Sequence, residues 1–453
     1  MLRGAERCCG VLKGAAAALV LVATSGHVWP GEARVAQAGA APVVRLYDDN
    51  PSHLWNRLHA ALFVRVADGR EYGTDRVDPL LWIGSKHLLQ GASHERAVQL
   101  IHEFLDNHGE TRVRDPLKRA MLQRDLWTVF DWLQGTHGNF AQPRLSEEAV
   151  RRGVEDLSAA IGAAIGRLAL SPGQIDALPD NYAAAARAGL VPADLFSPRG
   201  PWVSVGRDDG PVAVNHVGDL GVGRNSVFLV FIKLPGGRDA TLRYVQRLHA
   251  YSGPFRTASG YPSPDIPQFP AGTEVALVRR ALLIDSDGRI VATRIVEQVQ
   301  HRLYREIPPW SPQELDLGAG RGQEVDDVML SRAALFAGHA GGLVSMDAAG
   351  PLFLTFSDQG LDAFEMKASD PSFEGGRRRT LGMNASEARK LCATCHVAPG
   401  VYSFNSYLPF RLLSPEARPS RLSEISMADA VRFAVQHKPQ RAEWRALQTL
   451  MRR

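Results

Sequence analysis

Cysteine is scarce in this sequence, and its scarcity excludes a disulfide framework. The 453 residues include 4 Cys. Cys8 and Cys9 precede a short apolar run near the N-terminus, whereas Cys392 and Cys395 share one pentapeptide. Exported proteins usually use cysteines to form disulfides between distant segments. Cys392 and Cys395 are only three positions apart, so a disulfide between them would join no distant segments. We therefore expect these two thiols to have a chemical function rather than to stabilise the fold through a disulfide.

Long hydrophobic runs and common catalytic motifs are also missing. No segment reaches the roughly eighteen uninterrupted apolar residues of a membrane helix. The sequence contains neither a P-loop nor a G-x-S-x-G elbow, and Gly221-Val222-Gly223 is only a partial glycine pattern. We expect neither a nucleotide site nor a nucleic acid partner.

The N-terminal residues have the pattern of an export signal. Basic residues precede an alanine-rich apolar run that is too short to span a bilayer, and Ala36 and Ala38 fit the small-x-small rule of signal peptidase. We predict a signal peptide over residues 1–38 and a mature protein in the periplasm or otherwise exported, with no membrane span after cleavage. A retained amphipathic tail is the alternative.

Apolar residues between about 54 and 186 recur at three- and four-residue steps, which predicts helices. One helix follows Ser93, a second begins at Pro116 and ends before Gly135, and a third follows a cap at Ser146. We predict a helical N-terminal domain over residues 39–195.

Four polar residues of this helical region have structural interpretations. Asp125 and Asp131 lie in an apolar stretch, so we expect each to form a buried pair with Arg124 or Arg119. His53 and His59 are six positions apart, which places them on different faces of a helix. We interpret both histidines as structural and propose no catalytic residue.

The periodicity changes after Pro198, and strands are predicted from there. The run 227–234 is almost entirely apolar, as expected for a strand covered on both faces. Two runs rich in β-branched residues, 275–284 and 290–299, flank a turn that ends in Asp287-Gly288, which predicts a hairpin. We predict a central β-rich domain over residues 196–376.

The pentapeptide Cys392-Ala393-Thr394-Cys395-His396 matches the C-x-x-C-H signature of covalent haem attachment. Two thiols three residues apart can each form a thioether with one porphyrin vinyl group. The adjacent imidazole then serves as an axial ligand of the iron. We therefore predict one covalent haem c, bound through Cys392 and Cys395 with His396 as metal ligand.

On this pentapeptide, a predicted helix over 384–390 and a second over 443–451, the region 381–453 resembles a single-haem cytochrome c domain. The resemblance implies a small all-α domain over residues 377–453 and an aromatic contact between its helices, a role for Trp444. It also implies a distal ligand, for which Met427, His437 and Met383 are the candidates, with water or an open position as the alternative. Together with the preceding regions this gives an α+β fold class.

The function predicted from these features is periplasmic electron transfer with a redox partner protein. An enzyme or sensor whose haem has an open distal site for peroxide or a gas is the alternative. Without haem, the same cysteines suit a thiol-disulfide protein or, with a remote histidine, a zinc site. Residues 377–453 hold fourteen basic and five acidic residues, so this block either attracts an acidic partner, docks on the acidic remainder of the chain, or is solvated surface.

Overall fold

The computed structural model describes residues 43–67, 70–76, 88–89, 91–134, 147–207, 212, 225–254, 263–308, 322–346, 352–357, 378–383, 400–404 and 422–452. The predicted signal peptide lies outside these ranges. Cys392, Cys395 and His396 lie outside them as well, as does the helix predicted over 384–390.

The described N-terminal region is helical, as the periodicity predicts. Its helices are α1 (Leu54–Phe63), α2 (Gly91–Asp106), α3 (Pro116–Gln134), α4 (Glu147–Leu168), α5 (Pro172–Asp176) and α6 (Asn181–Arg187), and a short hairpin of β1 (Arg65–Ala67) and β2 (Arg70–Tyr72) follows α1. The three predicted helices are confirmed as α2, α3 and α4. Pro116 occupies the first position of α3, where its missing N–H would have no partner in any case.

An antiparallel sheet of seven strands follows, in the order β11-β3-β4-β5-β6-β7-β8. The strands are β3 (Val203–Arg207), β4 (Ser226–Lys233), β5 (Thr273–Ile284), β6 (Ile290–Tyr304), β7 (Gln323–Leu330), β8 (Leu343–Ser345) and β11 (Leu422–Glu424), with β9 (Leu352–Ser357) and β10 (Arg378–Met383) forming a separate pair. The predicted hairpin is confirmed as β5 and β6. Its turn is held by Asp285, whose carboxylate accepts the N–H groups of Asp287 at 2.9 Å and Arg289 at 2.8 Å.

The remaining helices lie between and after these strands. They are α7 (Gly237–Ala250), α8 (Arg332–Phe336), α9 (Val401–Phe404), α10 (Met427–His437) and α11 (Ala442–Met451). Helix α10 begins after Ser426, whose hydroxyl accepts the N–H of Asp429 at the helix N-terminus. The C-terminal helix predicted over 443–451 is confirmed as α11.

Both faces of the sheet are buried, which agrees with the apolar run of β4. Alternate residues of β4 point to opposite faces, so that Leu229 lies in one hydrophobic cluster and Val230 in another. The first cluster joins one face of the sheet to helices α1–α6, α10 and α11. The second cluster joins the other face to α7, the residues around Phe269, and α9.

The described C-terminal residues belong to this same body. Strand β11 extends the sheet at β3, and α11 buries Trp444 and Leu447 in the first cluster. The mixed α+β class is therefore confirmed. The prediction of a small all-α domain over residues 377–453 is wrong for the described part of that range, because β10 and β11 lie in it and β11 joins the main sheet. Within the described ranges, no helix has the length and apolar character required to cross a membrane.

Candidate functional site

The chain enters the described structure again four residues after His396. Gly400 has a φ of 59°, in the left-handed region that glycine adopts without steric cost. The next residue, Val401, donates its backbone N–H to the side-chain oxygen of Gln268 at 2.7 Å. Val401 and Phe404 are fully buried in the second cluster. The segment that follows the C-x-x-C-H motif is therefore packed against the sheet.

Aromatic rings form the surface on which this segment packs. The ring centroid of Phe269 lies 4.9 Å from that of Tyr304, 5.8 Å from that of Tyr244 and 6.4 Å from that of Phe404. The hydroxyl groups of Tyr304 and Ser403 are 3.0 Å apart and both residues are buried. Burial raises the pKa of both tyrosines, so both hydroxyls stay protonated at neutral pH. This surface is apolar and uncharged.

The candidate distal ligands occupy different parts of the fold. Met383 is the last residue of β10, Met427 is the first residue of α10, and His437 is the last residue of that helix. Helix α10 packs on the first cluster, with Met427 half-buried against it. Met427 thus lies on the face of the sheet opposite to Val401 and Phe404.

The imidazole of His437 is half-buried near four charged residues, Arg207, Lys438, Arg441 and Glu443. Burial lowers its pKa, and the positive charges of Arg441 and Arg207 lower it further. The ring is therefore neutral at pH 7, the form in which a histidine nitrogen can bind a metal. Of the described candidates, His437 has the protonation state that a nitrogen ligand requires.

Helix α3 carries charged residues whose partners come from three other segments. Arg124 pairs with Glu297 on β6 at 2.8 Å, and Asp125 accepts a hydrogen bond from Arg332 on α8 at 2.7 Å. Asp131 pairs with Lys438, which follows α10. The prediction of buried pairing is right, but its partners are wrong: Arg124 and Arg119 lie close in sequence, whereas Arg332 and Lys438 approach the buried faces of α3.

Lys438 connects the C-terminal segment to this helix. Its ammonium group is buried beside the Asp131 carboxylate and lies 5.0 Å from the centroid of the Trp127 ring. Burial lowers the pKa of Lys438, an effect that the Asp131 charge opposes. The Trp127 ring is 5.7 Å from that of Trp444. Trp444, which the resemblance assigned to a contact with the haem-bearing helix, therefore packs on α3.

The two histidines interpreted as structural have structural contacts. His53 accepts the backbone N–H of Trp55 and caps α1. His59 is fully buried, and its Nε2 lies 2.9 Å from the carbonyl oxygen of Gly73. Burial is the main cause that lowers the pKa of His59 to about 4. A neutral ring that donates from Nε2 satisfies this contact.

A polar group at one end of the sheet was not found from the sequence. Glu274 on β5 accepts from Lys233 on β4 and from His301 on β6, each at 2.8 Å. The hydrogen bond from His301 is the main cause that lowers the pKa of Glu274 to about 2. Lys233 also lies 5.3 Å from the centroid of the Trp202 ring. These side chains satisfy one another across three neighbouring strands, a contact that only the strand register reveals.

The described part of the chain contains no group of three or more His, Cys, Asp or Glu residues arranged to hold a metal ion. Comparison of the chain with protein-family models, curated proteins and solved structures finds no match. The functional assignment therefore rests on the motif and on the contacts made by the described residues that follow it.

Proposed function

We propose that this chain is an exported, periplasmic c-type haem protein that transfers electrons. Cys392 and Cys395 bind one haem covalently, and His396 is an axial ligand of its iron. The observation that carries the proposal is that the two thiols left after removal of residues 1–38 form a complete C-x-x-C-H motif. The redox partner is proposed to be an acidic protein, because the region around the motif is rich in arginine and lysine.

The contacts of the following segment support this proposal. His396 is four residues before Gly400, so their Cα atoms are at most about 14 Å apart in any conformation. Val401 packs in the buried cluster that also contains Tyr244, Phe269 and Tyr304. The described residues that follow the motif therefore lie in an apolar part of the protein. The donor set of the motif, two thiols and an imidazole, fits a covalently bound haem.

The haem supplies reversible exchange of one electron between Fe(III) and Fe(II). The protein supplies the attachment points, the axial ligand and a low-dielectric environment that sets the reduction potential. Neither an acid nor a base is required for this function. Tyr244 and Tyr304 suit such an environment because their raised pKa values keep them neutral.

A pyridine haemochrome spectrum and an intact mass test the proposal. The full-length chain should be produced with its export signal in a host that has a cytochrome c maturation system. We expect the denatured protein to retain the mass and absorption of one haem, and Cys392→Ala with Cys395→Ala to lose both. Haem that is removed by acid-acetone extraction contradicts covalent binding.

Three further measurements distinguish the alternative functions. Zinc in the purified protein, measured by elemental analysis in place of iron, indicates a metal site. A disulfide between Cys392 and Cys395 in haem-free protein indicates thiol-disulfide chemistry. A high-spin ferric spectrum that changes on addition of peroxide or a diatomic gas indicates an open distal position.

A further inference from the structure

We infer that Gln268 and Tyr304, which lie 124 and 88 positions before Cys392, are positioning residues for the haem-attachment segment. This inference rests on the proposed function and adds to it. It assigns part of the haem environment to the sheet body rather than to the C-terminal residues alone. It also gives residues well outside the region of cytochrome resemblance a role at the haem.

Gln268 fixes the first residues after the motif. Its side-chain oxygen accepts two backbone N–H groups, that of Val401 at 2.7 Å and that of its own neighbour Phe269 at 3.1 Å. The bond to Val401 joins residues 133 positions apart. Because the second bond restrains the amide group, Gln268 presents its oxygen to Val401 in a defined direction.

Gly400 allows this close approach. A Cβ atom at this position would overlap the side-chain amide of Gln268, and the φ of 59° disfavours any residue with a side chain. An alanine at this position would both strain the backbone and push Gln268 away from Val401. The hydrogen bond between Gln268 and Val401 therefore requires a glycine at position 400.

Tyr304 fixes the same segment from the sheet. It is the last residue of β6, and its hydroxyl lies 3.0 Å from that of Ser403. Both residues are fully buried, where an unpaired hydroxyl is costly because no water replaces the lost hydrogen bond. The two contacts, at Val401 and at Ser403, hold consecutive parts of α9 against the second cluster.

The tether between these contacts and the iron ligand is short. Three residues lie between His396 and Gly400, so their Cα atoms are at most about 14 Å apart. We expect a displacement at Val401 or Ser403 to reach His396 through so short a connection. Axial ligation and solvent access at the haem set its reduction potential, so loosening the anchor should change that potential.

The structure offers a matched control for this effect. Tyr244 is also a fully buried tyrosine of the second cluster and also contacts Phe269, but its hydroxyl donates to the carbonyl oxygen of Pro267 at 3.0 Å. Tyr304→Phe and Tyr244→Phe each remove one buried hydroxyl. Only the first of these changes removes a contact with the segment after the motif.

The experiment compares full-length holoprotein carrying Gln268→Ala, Gln268→Glu, Tyr304→Phe or Tyr244→Phe. Gln268 is exposed on its outer side, so that glutamate can replace it and keep an oxygen acceptor for Val401. We expect Gln268→Ala and Tyr304→Phe to shift the reduction potential and the Soret band. Gln268→Glu should retain the band position of the wild type, and Tyr244→Phe should retain both properties.

Amide hydrogen exchange at Val401 provides a readout that does not depend on haem. We expect about tenfold faster exchange in Gln268→Ala than in Tyr244→Phe, as for the loss of one hydrogen bond. Loaded variants whose potentials and Soret bands all equal those of the wild type overturn the inference and leave the proposed function intact. A wild-type chain that attaches no haem overturns the proposed function, and the exchange rates then still report whether Gln268 anchors the segment.

Discussion

Lys438 and Asp131 form a buried ion pair although 307 positions separate them in the sequence. The pair joins the segment between α10 and α11 to the C-terminal part of α3. Both side chains are less than 5% exposed. Each neutralises the charge of the other, because an unpaired charge in the interior would be strongly destabilising. Part of the basic C-terminal region therefore docks on the protein's own body.

Lys438→Met should lower the free energy of unfolding by about 3–5 kcal/mol, because it leaves the Asp131 carboxylate buried without its ammonium partner. Urea unfolding followed by circular dichroism measures the change. Arg432→Ala is the control, since Arg432 pairs with Asp429 on the exposed surface of α10, and such pairs contribute about 1 kcal/mol or less. Equal losses in the two variants would contradict a special role of the buried pair.

His59 should make the protein less stable in mild acid. Its pKa is about 4 in the folded state and about 6.5 in the unfolded chain, so the unfolded state binds the proton more readily. The free energy of unfolding should therefore fall as the pH decreases from about 6.5 to about 4, by about 3 kcal/mol in total. His59→Gln should remove this dependence, and the matched change at the exposed His102 should leave it. The checking measurement is urea unfolding at several pH values.

Glu274 should contribute to stability down to a lower pH than an ordinary glutamate. The hydrogen bond from His301 lowers its pKa to about 2, so the stabilisation is complete above about pH 4.5 and is lost as the pH falls towards 2. Glu274→Gln should therefore reduce the free energy of unfolding at neutral pH and flatten its acid dependence between these values. An identical acid dependence in the variant and the wild type would show that another carboxylate is responsible.

Met427→Ala should leave the spectrum of the ferric haem unchanged. Met427 packs on the first cluster, whereas Val401 and Phe404 lie on the opposite face of the sheet. The variant should lose about 1–2 kcal/mol of stability, because removing the half-buried Met427 side chain leaves an unfilled space at the start of α10. Loss of a weak absorption band near about 700 nm, a sign of sulfur ligation, would instead identify Met427 as the distal ligand. His437→Ala, examined in parallel, tests the nitrogen candidate.

Short-range sequence patterns predicted those helices and strands whose main contacts lie within one segment of the chain. The helices α2, α3 and α4 follow from apolar residues at three- and four-residue steps, and the β5–β6 hairpin follows from its Asp-Gly turn. Helix α7 was missed, although its buried Tyr244, Val245 and Leu248 have the same helical spacing. Strand β7 was missed because its first residues are acidic and polar, and such residues are uncommon in strands.

Contacts between distant segments could not be predicted. Nothing in the sequence near Asp125 indicates Arg332 as its partner, since that pairing depends on how α8 crosses α3. The same holds for the hydrogen bond between Gln268 and Val401, which requires the folded sheet to bring a loop and α9 together. The C-x-x-C-H pattern from Cys392 to His396 is visible in the sequence alone, and its assignment to haem stays a prediction.

The position of β11 has a consequence for when the sheet can gain all of its strands during synthesis. This strand is near the C-terminus, yet it pairs with β3, one of the first strands of the sheet to be synthesised. During synthesis, β3 therefore has an open edge until residues 422–424 follow, and open edges invite pairing with other chains. A chain shortened before Leu422 should thus aggregate rather than fold into a smaller stable protein. Residues 422–424 thus cover an edge of the sheet that β3 would otherwise leave open.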